Sequence, residues 1–152
     1  MIVYTKATLR DIDSMRELVL PEVEKGIILD RSSDEIAQNI RSYILAKDDE
    51  KLVGFGALHF HTQKLGEIRS LVVAQNQRGR GIGKRVVLNL IEEGRKFFLE
   101  QIFTLTYQKE FFLSLDFKEI PKESLPNQKI WADCIKCKHF PVCDEIALIQ
   151  TI

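Results

Sequence analysis

Apolar residues recur along this chain in two rhythms, and the order in which they alternate predicts the architecture. Ile2 to Lys6 reads as a short strand. Thr8-x-x-Asp11 has the form of a capping box, and Ile12, Met15, Leu18 and Val19 then share one face of a helix expected to end near Pro21, which cannot donate a backbone hydrogen bond. After an irregular stretch through Gly26 and Arg31, Ser32-x-x-Glu35 signals a second helix, with Ile36, Ile40 and Ile44 at helical spacing. From Lys51 to His61 the chain is rich in apolar and aromatic residues, and the turn-like Thr62-Gln63-Lys64-Leu65-Gly66 separates it from the run Glu67 to Ala74, which predicts an antiparallel hairpin. A glycine-rich segment, Arg78-Gly79-Arg80-Gly81-Ile82-Gly83-Lys84, leads into a helix with Val87, Leu90, Ile91 and Phe98 along one stripe. Ile102 to Tyr107 reads as a further strand, Lys109 to Leu115 as a short helix, and the segments around Ile130 and from Ala147 to Ile152 as closing strands. The sum is a mixed α/β sheet in one domain spanning residues 1–152, with no repeat or linker to divide it.

Charge narrows what such a domain can bind. Lysine plus arginine equals aspartate plus glutamate at 22 each, so the chain as a whole has no attraction for nucleic acid or an anionic membrane, and any anion must be captured locally. The first residues run straight into polar sequence without the apolar core of a signal peptide or membrane span, which predicts a cytoplasmic protein. Three cysteines, all between positions 134 and 143, do not form the framework of a disulfide-rich secreted domain. Cys134-x-x-Cys137-x-His139-x-x-x-Cys143 offers enough ligands for a zinc ion, but the spacing is compressed, and structural thiols with no metal are the expectation.

The local departure from neutrality lies in the glycine-rich turn, where Arg78, Arg80, Lys84 and Arg85 surround Gly79, Gly81 and Gly83. A strand that feeds a helix through such a turn points free backbone N–H groups, and the positive end of the helix dipole, at an anion. A Walker loop requires Ser or Thr after the lysine, and Arg85 stands there; a dinucleotide fingerprint belongs after an early strand of a parallel unit, and this turn follows a hairpin in mid-chain. Arg78-x-x-Gly81-x-Gly83 instead resembles the [QR]-x-x-G-x-[GA] motif of the GNAT acetyltransferase superfamily, and the likeness runs along nearly the whole chain. The preceding Ile68–Val73 segment, the two leading helices and Phe111-Phe112-Leu113-Ser114-Leu115-Asp116-Phe117 are similar to that family in order and kind, with Asp116 where a glycine is usual.

The resemblance implies a splayed, mostly antiparallel sheet flanked by helices, with acetyl-CoA as acetyl donor. Its pyrophosphate would lie in the cradle Arg78, Gly79, Arg80, Gly81, Ile82, Gly83 and Lys84, and its pantetheine arm along Leu71, Val72 and Val73. Acetyl transfer needs an unprotonated amine, stabilisation of the developing oxyanion and a proton for the departing thiolate. Glu67 falls where several members of the family carry a general base. The family's usual acid, a tyrosine, is replaced by Phe112, which leaves Tyr107, the nearest phenol in sequence, Ser114 or water for that role, or a thiolate that departs without a dedicated acid. His59 and His61 share a strand face on which either could serve as a base, although such histidines more often pack or face solvent.

For the acceptor, Gly26-Ile27-Ile28-Leu29-Asp30-Arg31-Ser32 resembles a stretch of the bacterial amino-acid N-acetyltransferases that make N-acetylglutamate, and Trp131 with the cysteine-containing tail resembles their C-terminus. The implied substrate is a small amino acid, L-glutamate first, in arginine biosynthesis. Arg31 and Arg69 are the candidate carboxylate ligands, because a guanidinium grips a carboxylate through a planar fork. Another amine (a polyamine, a drug or a protein N-terminus) and a non-catalytic acyl-CoA-binding module stay open at this point, and the family's habit of pairing makes a homodimer compatible.

Overall fold

The fold is that of a computed structural model, which describes residues 1–125 and 145–152. Ile130, Trp131 and the Cys134, Cys137, His139 and Cys143 cluster lie outside the described residues. Among the described residues, seven strands form one sheet in the order β1-β2-β3-β4-β5-β7-β6: β1 (Ile2–Lys6), β2 (Tyr43–Asp48), β3 (Lys51–Phe60), β4 (Leu65–Val73), β5 (Gln101–Thr106), β6 (Lys118–Ile120) and β7 (Ile146–Thr151). Every neighbouring pair is antiparallel except β4 and β5. Helices α1 (Ile12–Glu24) and α2 (Ser33–Gln38) pack on one face over Tyr43, Leu45, Phe55 and Val72, while α3 (Ile82–Lys96) and α4 (Lys109–Leu113) close the other over Ile44, Ala46, Val53 and Ile68.

This is the mixed α/β sheet expected from the sequence, with corrections. Strand β2 occupies residues assigned to the second helix. The Ser32–Glu35 capping box does form, but Asn39 leaves the helical region and caps the Glu35 carbonyl through its side chain at 2.9 Å. Tyr43, Ile44, Leu45 and Ala46 are then all buried because both faces of the sheet are covered, and so carry no alternation to announce a strand. Helix α1 runs past Pro21, and short β6 was not anticipated.

Three helices end in the same way. At the C-termini of α1, α3 and α4 a residue in the left-handed region turns the chain, and the next N–H reaches back five residues: Ile27 to Glu22 (2.9 Å), Leu99 to Gly94 (3.0 Å) and Phe117 to Phe112 (3.1 Å). The turning residues are Gly26, Phe98 and Asp116. Phe98 thus stands outside the apolar stripe of α3 and is 86% exposed. Because a Cβ is strained at such φ values (63° and 71°), Phe98→Gly and Asp116→Gly should each stabilise the fold by about 1 kcal/mol and raise Tm by about 2–4 °C. Calorimetric unfolding of the two variants checks this; an unchanged or lower Tm would contradict it.

Candidate active site

The single parallel contact of the sheet creates the site. β4 and β5 pair only through Leu65, Gly66 and Glu67 opposite Gln101, Ile102 and Phe103. Beyond them, Thr104 Oγ1 donates to the Ile68 carbonyl at 2.9 Å, taking an acceptor that the ladder no longer serves. At Ser70 the backbone turns into the left-handed region (φ 59°), the register against β3 shifts, and the two strands part. A cavity of about 760 Å³ fills the opening, within the range of small-molecule sites. Leu71, Val72 and Val73 line one wall, Leu105 to Gln108 the other, and the 25–31 loop lies across it.

At one end of the cavity the glycine-rich turn enters α3. Gly81 is the N-cap residue, with φ 77°, and Gly79 has φ 84°. A Cβ built on either would meet no protein atom within 4 Å, so the turn faces open space over the first, unsatisfied N–H groups of a 15-residue helix. Ile82, Gly83 and the exposed Lys84 also line the cavity. Arg78 serves the turn from behind: its Nη2 donates to Glu22 Oε1 at 3.0 Å and its Nε to the Val73 carbonyl at 3.3 Å. Arg80 is the one predicted donor-site residue that does not line the cavity; its guanidinium bonds Gln77 Oε1 and lies 3.5 Å from Asp48.

At the apex, where the strands begin to part, stands Glu67. Its side chain is 1% exposed, and Oε1 is 2.8 Å from His61 Nε2. His61 is itself buried, stacked at 5.3 Å against the Phe103 ring and edge-on at 4.7 Å to His59, whose Nδ1 is 3.2 Å from Arg69 Nη2. The two histidines therefore join the predicted base to a predicted substrate ligand. Strand alternation places them on one face, but nothing in their spacing to Glu67 reveals the contact.

Arg31 and Arg69 come from separate elements, and the charges of both act on the buried Tyr43. Burial pushes the Tyr43 phenol above its ordinary pKa, against the opposing pull of the Arg31 and Arg69 charges and a hydrogen bond with Ser70. Both arginines line the cavity, and Arg31 is steadied by Glu35 at 3.9 Å. Tyr107 lines the opposite wall with its phenol oxygen buried. Ser114, the other hydroxyl considered for the proton, spends it on the Phe111 carbonyl at 2.6 Å, and Phe112 packs in the core against Phe111 and Phe117. Glu22 and Thr104 line the cavity and were missed by sequence reasoning, as was the buried Tyr43 on which both arginine charges act, whereas His61 was weighed only as a base in its own right.

The arrangement combines an anion cradle, a buried carboxylate and a pair of guanidiniums along one cleft. A Chlorobaculum tepidum protein named as an uncharacterised N-acetyltransferase is 38% identical over 150 residues, covering 96% of this chain and 94% of its own length. The amino-acid acetyltransferase of Mycobacterium tuberculosis is 32% identical over 121 residues, 78% of this chain and 69% of the relative. Among solved structures, N-acetylglutamate synthase from Neisseria gonorrhoeae, complexed with coenzyme A and N-acetyl-glutamate, superposes with a TM-score of 0.88 at 24% identity. That match covers 99% of this chain but 35% of the synthase, and at that identity it speaks to the fold. The family model for acetyltransferases of the GNAT type matches residues 12–117, and with the fold, the cleft and these relatives in agreement, the chain belongs to the acetyltransferase (GNAT) family.

Proposed function

We propose that this protein transfers an acetyl group from acetyl-CoA to the α-amino group of an amino acid, and that the amino acid is L-glutamate, which would place it at the entry to arginine biosynthesis. The observation that carries the acceptor is that Arg31 and Arg69 both line one cleft whose apex is Glu67. A polyamine or another cationic acceptor would be repelled by that pair, whereas a dicarboxylic amino acid offers each guanidinium a carboxylate. The M. tuberculosis relative named as an amino-acid acetyltransferase supports the same class.

The donor end fits acetyl-CoA because Gly79 and Gly81 leave the turn open where a side chain would block close approach to the backbone. In this reading the N–H groups at the start of α3 and the Lys84 ammonium hold the pyrophosphate, and the parted edge at Leu71, Val72 and Val73 holds the pantetheine arm. Acetyl-CoA supplies the acyl group as a reactive thioester. Glu67 takes a proton from the acceptor ammonium through a water, and the Tyr107 hydroxyl returns one to the thiolate.

The test is Arg31→Ala. Losing a charge-assisted carboxylate contact is worth about 1.5–3 kcal/mol, so the KM for glutamate should rise about 10–100-fold while the KM for acetyl-CoA stays within about twofold. An unchanged glutamate KM in a variant with wild-type circular dichroism would remove Arg31 from the acceptor site.

A further inference from the structure

Two histidines stand behind Glu67, and the reaction outlined above uses neither. A glutamate side chain has three rotatable bonds, and a general base at the apex of a cleft works best with its carboxylate held in one orientation. Here one hold comes from β3. His61 lies just past the end of that strand, where its backbone N–H bonds the Leu65 carbonyl at 2.9 Å and closes the hairpin turn. Its ring is wedged between Phe103 of β5 and His59 of β3, leaving Nε2 at 2.8 Å from Glu67 Oε1. With exposures of 6% and 1%, water cannot replace either partner freely.

The wedge is itself held. Arginine donates and cannot accept, so the 3.2 Å contact from Arg69 Nη2 requires a lone pair on His59 Nδ1 and fixes that ring with any single proton on Nε2. A continuous run, Arg69 to His59 to His61 to Glu67, therefore joins two cavity-lining residues, the arginine on the acceptor side of the site and the carboxylate at its apex.

We propose that His61 is a positioning residue for Glu67, holding the carboxylate through Nε2–H donated to Oε1; this rests on the reading of Glu67 as the general base. When the acceptor nitrogen loses its proton, the N–H bond breaks toward a water, and an O–H bond forms on the Glu67 carboxyl from that water's own proton. His61 keeps the Nε2 proton it began with and takes up no charge. It acts by geometry, and a neutral donor at the same place does the same work. The amide nitrogen of glutamine reaches that place, whereas leucine fills it without a donor.

The experiment measures kcat and both KM values for His61→Leu, His61→Gln, Glu67→Gln and the His61→Leu/Glu67→Gln double variant, with coenzyme A binding by calorimetry confirming an intact fold. A carboxylate released from its orientation should lower kcat in His61→Leu about 10–100-fold while the KM for acetyl-CoA changes by less than about twofold. His61→Gln should recover kcat to within about threefold of wild type, and in the Glu67→Gln background His61→Leu should cost nothing further, since a residue that acts through another has no effect once that other is gone. Full additivity in the double variant, or wild-type kcat in His61→Leu alongside an impaired Glu67→Gln, would overturn the proposal. Wild-type kcat in Glu67→Gln would instead overturn the reading of Glu67 as the base. Should His61→Leu fail to fold, His61→Asn, whose amide falls short of Oε1, takes its place with the same expected loss.

Discussion

Glutamine in place of Glu67 should lower kcat about 10²–10³-fold and leave the KM for acetyl-CoA within about twofold, measured as coenzyme A release under saturating donor. The size of the effect follows from where the carboxylate stands. It occupies the last position at which β4 and β5 still pair, so the cleft opens immediately beyond it and its carboxylate stands at the end of the space between the strands. Glutamine preserves the volume and can still meet His61 through its amide, so packing survives while the proton-accepting group is removed. A fall in kcat with unchanged donor KM is the signature of an interaction made in the chemical step. A rise in both KM values with kcat intact would assign Glu67 to the scaffold of the cleft instead.

The second large effect concerns the donor. Gly81→Ala places a Cβ at φ 77°, a strain of about 1–2 kcal/mol, on the side of the turn where no protein atom lies within 4 Å. Protein packing is therefore spared, and the methyl group projects into the space that the pyrophosphate is proposed to fill. The expected result is a KM for acetyl-CoA raised at least about tenfold, equivalent to about 1.4 kcal/mol of lost binding, with Tm lowered by only about 2–8 °C. Calorimetric titration with coenzyme A separates the two contributions. A lowered Tm with unchanged coenzyme A affinity would show that the turn is needed for folding alone.

The glycine-rich turn at one end of the cleft was legible in the sequence because it is local. Gly79, Gly81, Gly83 and Lys84 fall within six residues, and the demands of one turn are written in their spacing. The relationships that complete the site join distant positions. Glu22 and Arg78 are 56 residues apart, and Thr104 and Ile68 are 36 apart; only the folded sheet brings either pair together. The same distinction explains the fold. β3 and β4 announced themselves by a turn between apolar runs, whereas β2 was concealed because Tyr43 to Ala46 are buried on both faces and Ile44 happened to continue the spacing of Ile36 and Ile40. Asp116 illustrates a partial reading. It stands where a glycine is usual in the family, and the turn forms with aspartate in the left-handed region at φ 71°. Arg80, grouped with the donor cradle by the family resemblance and its charge, instead bonds Gln77 and lies beside Asp48.

The most direct test of the account is an acceptor panel: the protein with acetyl-CoA and, in turn, each common amino acid, spermidine or no acceptor, with coenzyme A release followed by a thiol reagent and the product identified by mass spectrometry. The account predicts N-acetylglutamate as the dominant product, with glutamate turned over in clear preference to the other amino acids and little release from spermidine. Turnover confined to cationic amines, with glutamate inert, would contradict the acceptor assignment built on Arg31 and Arg69.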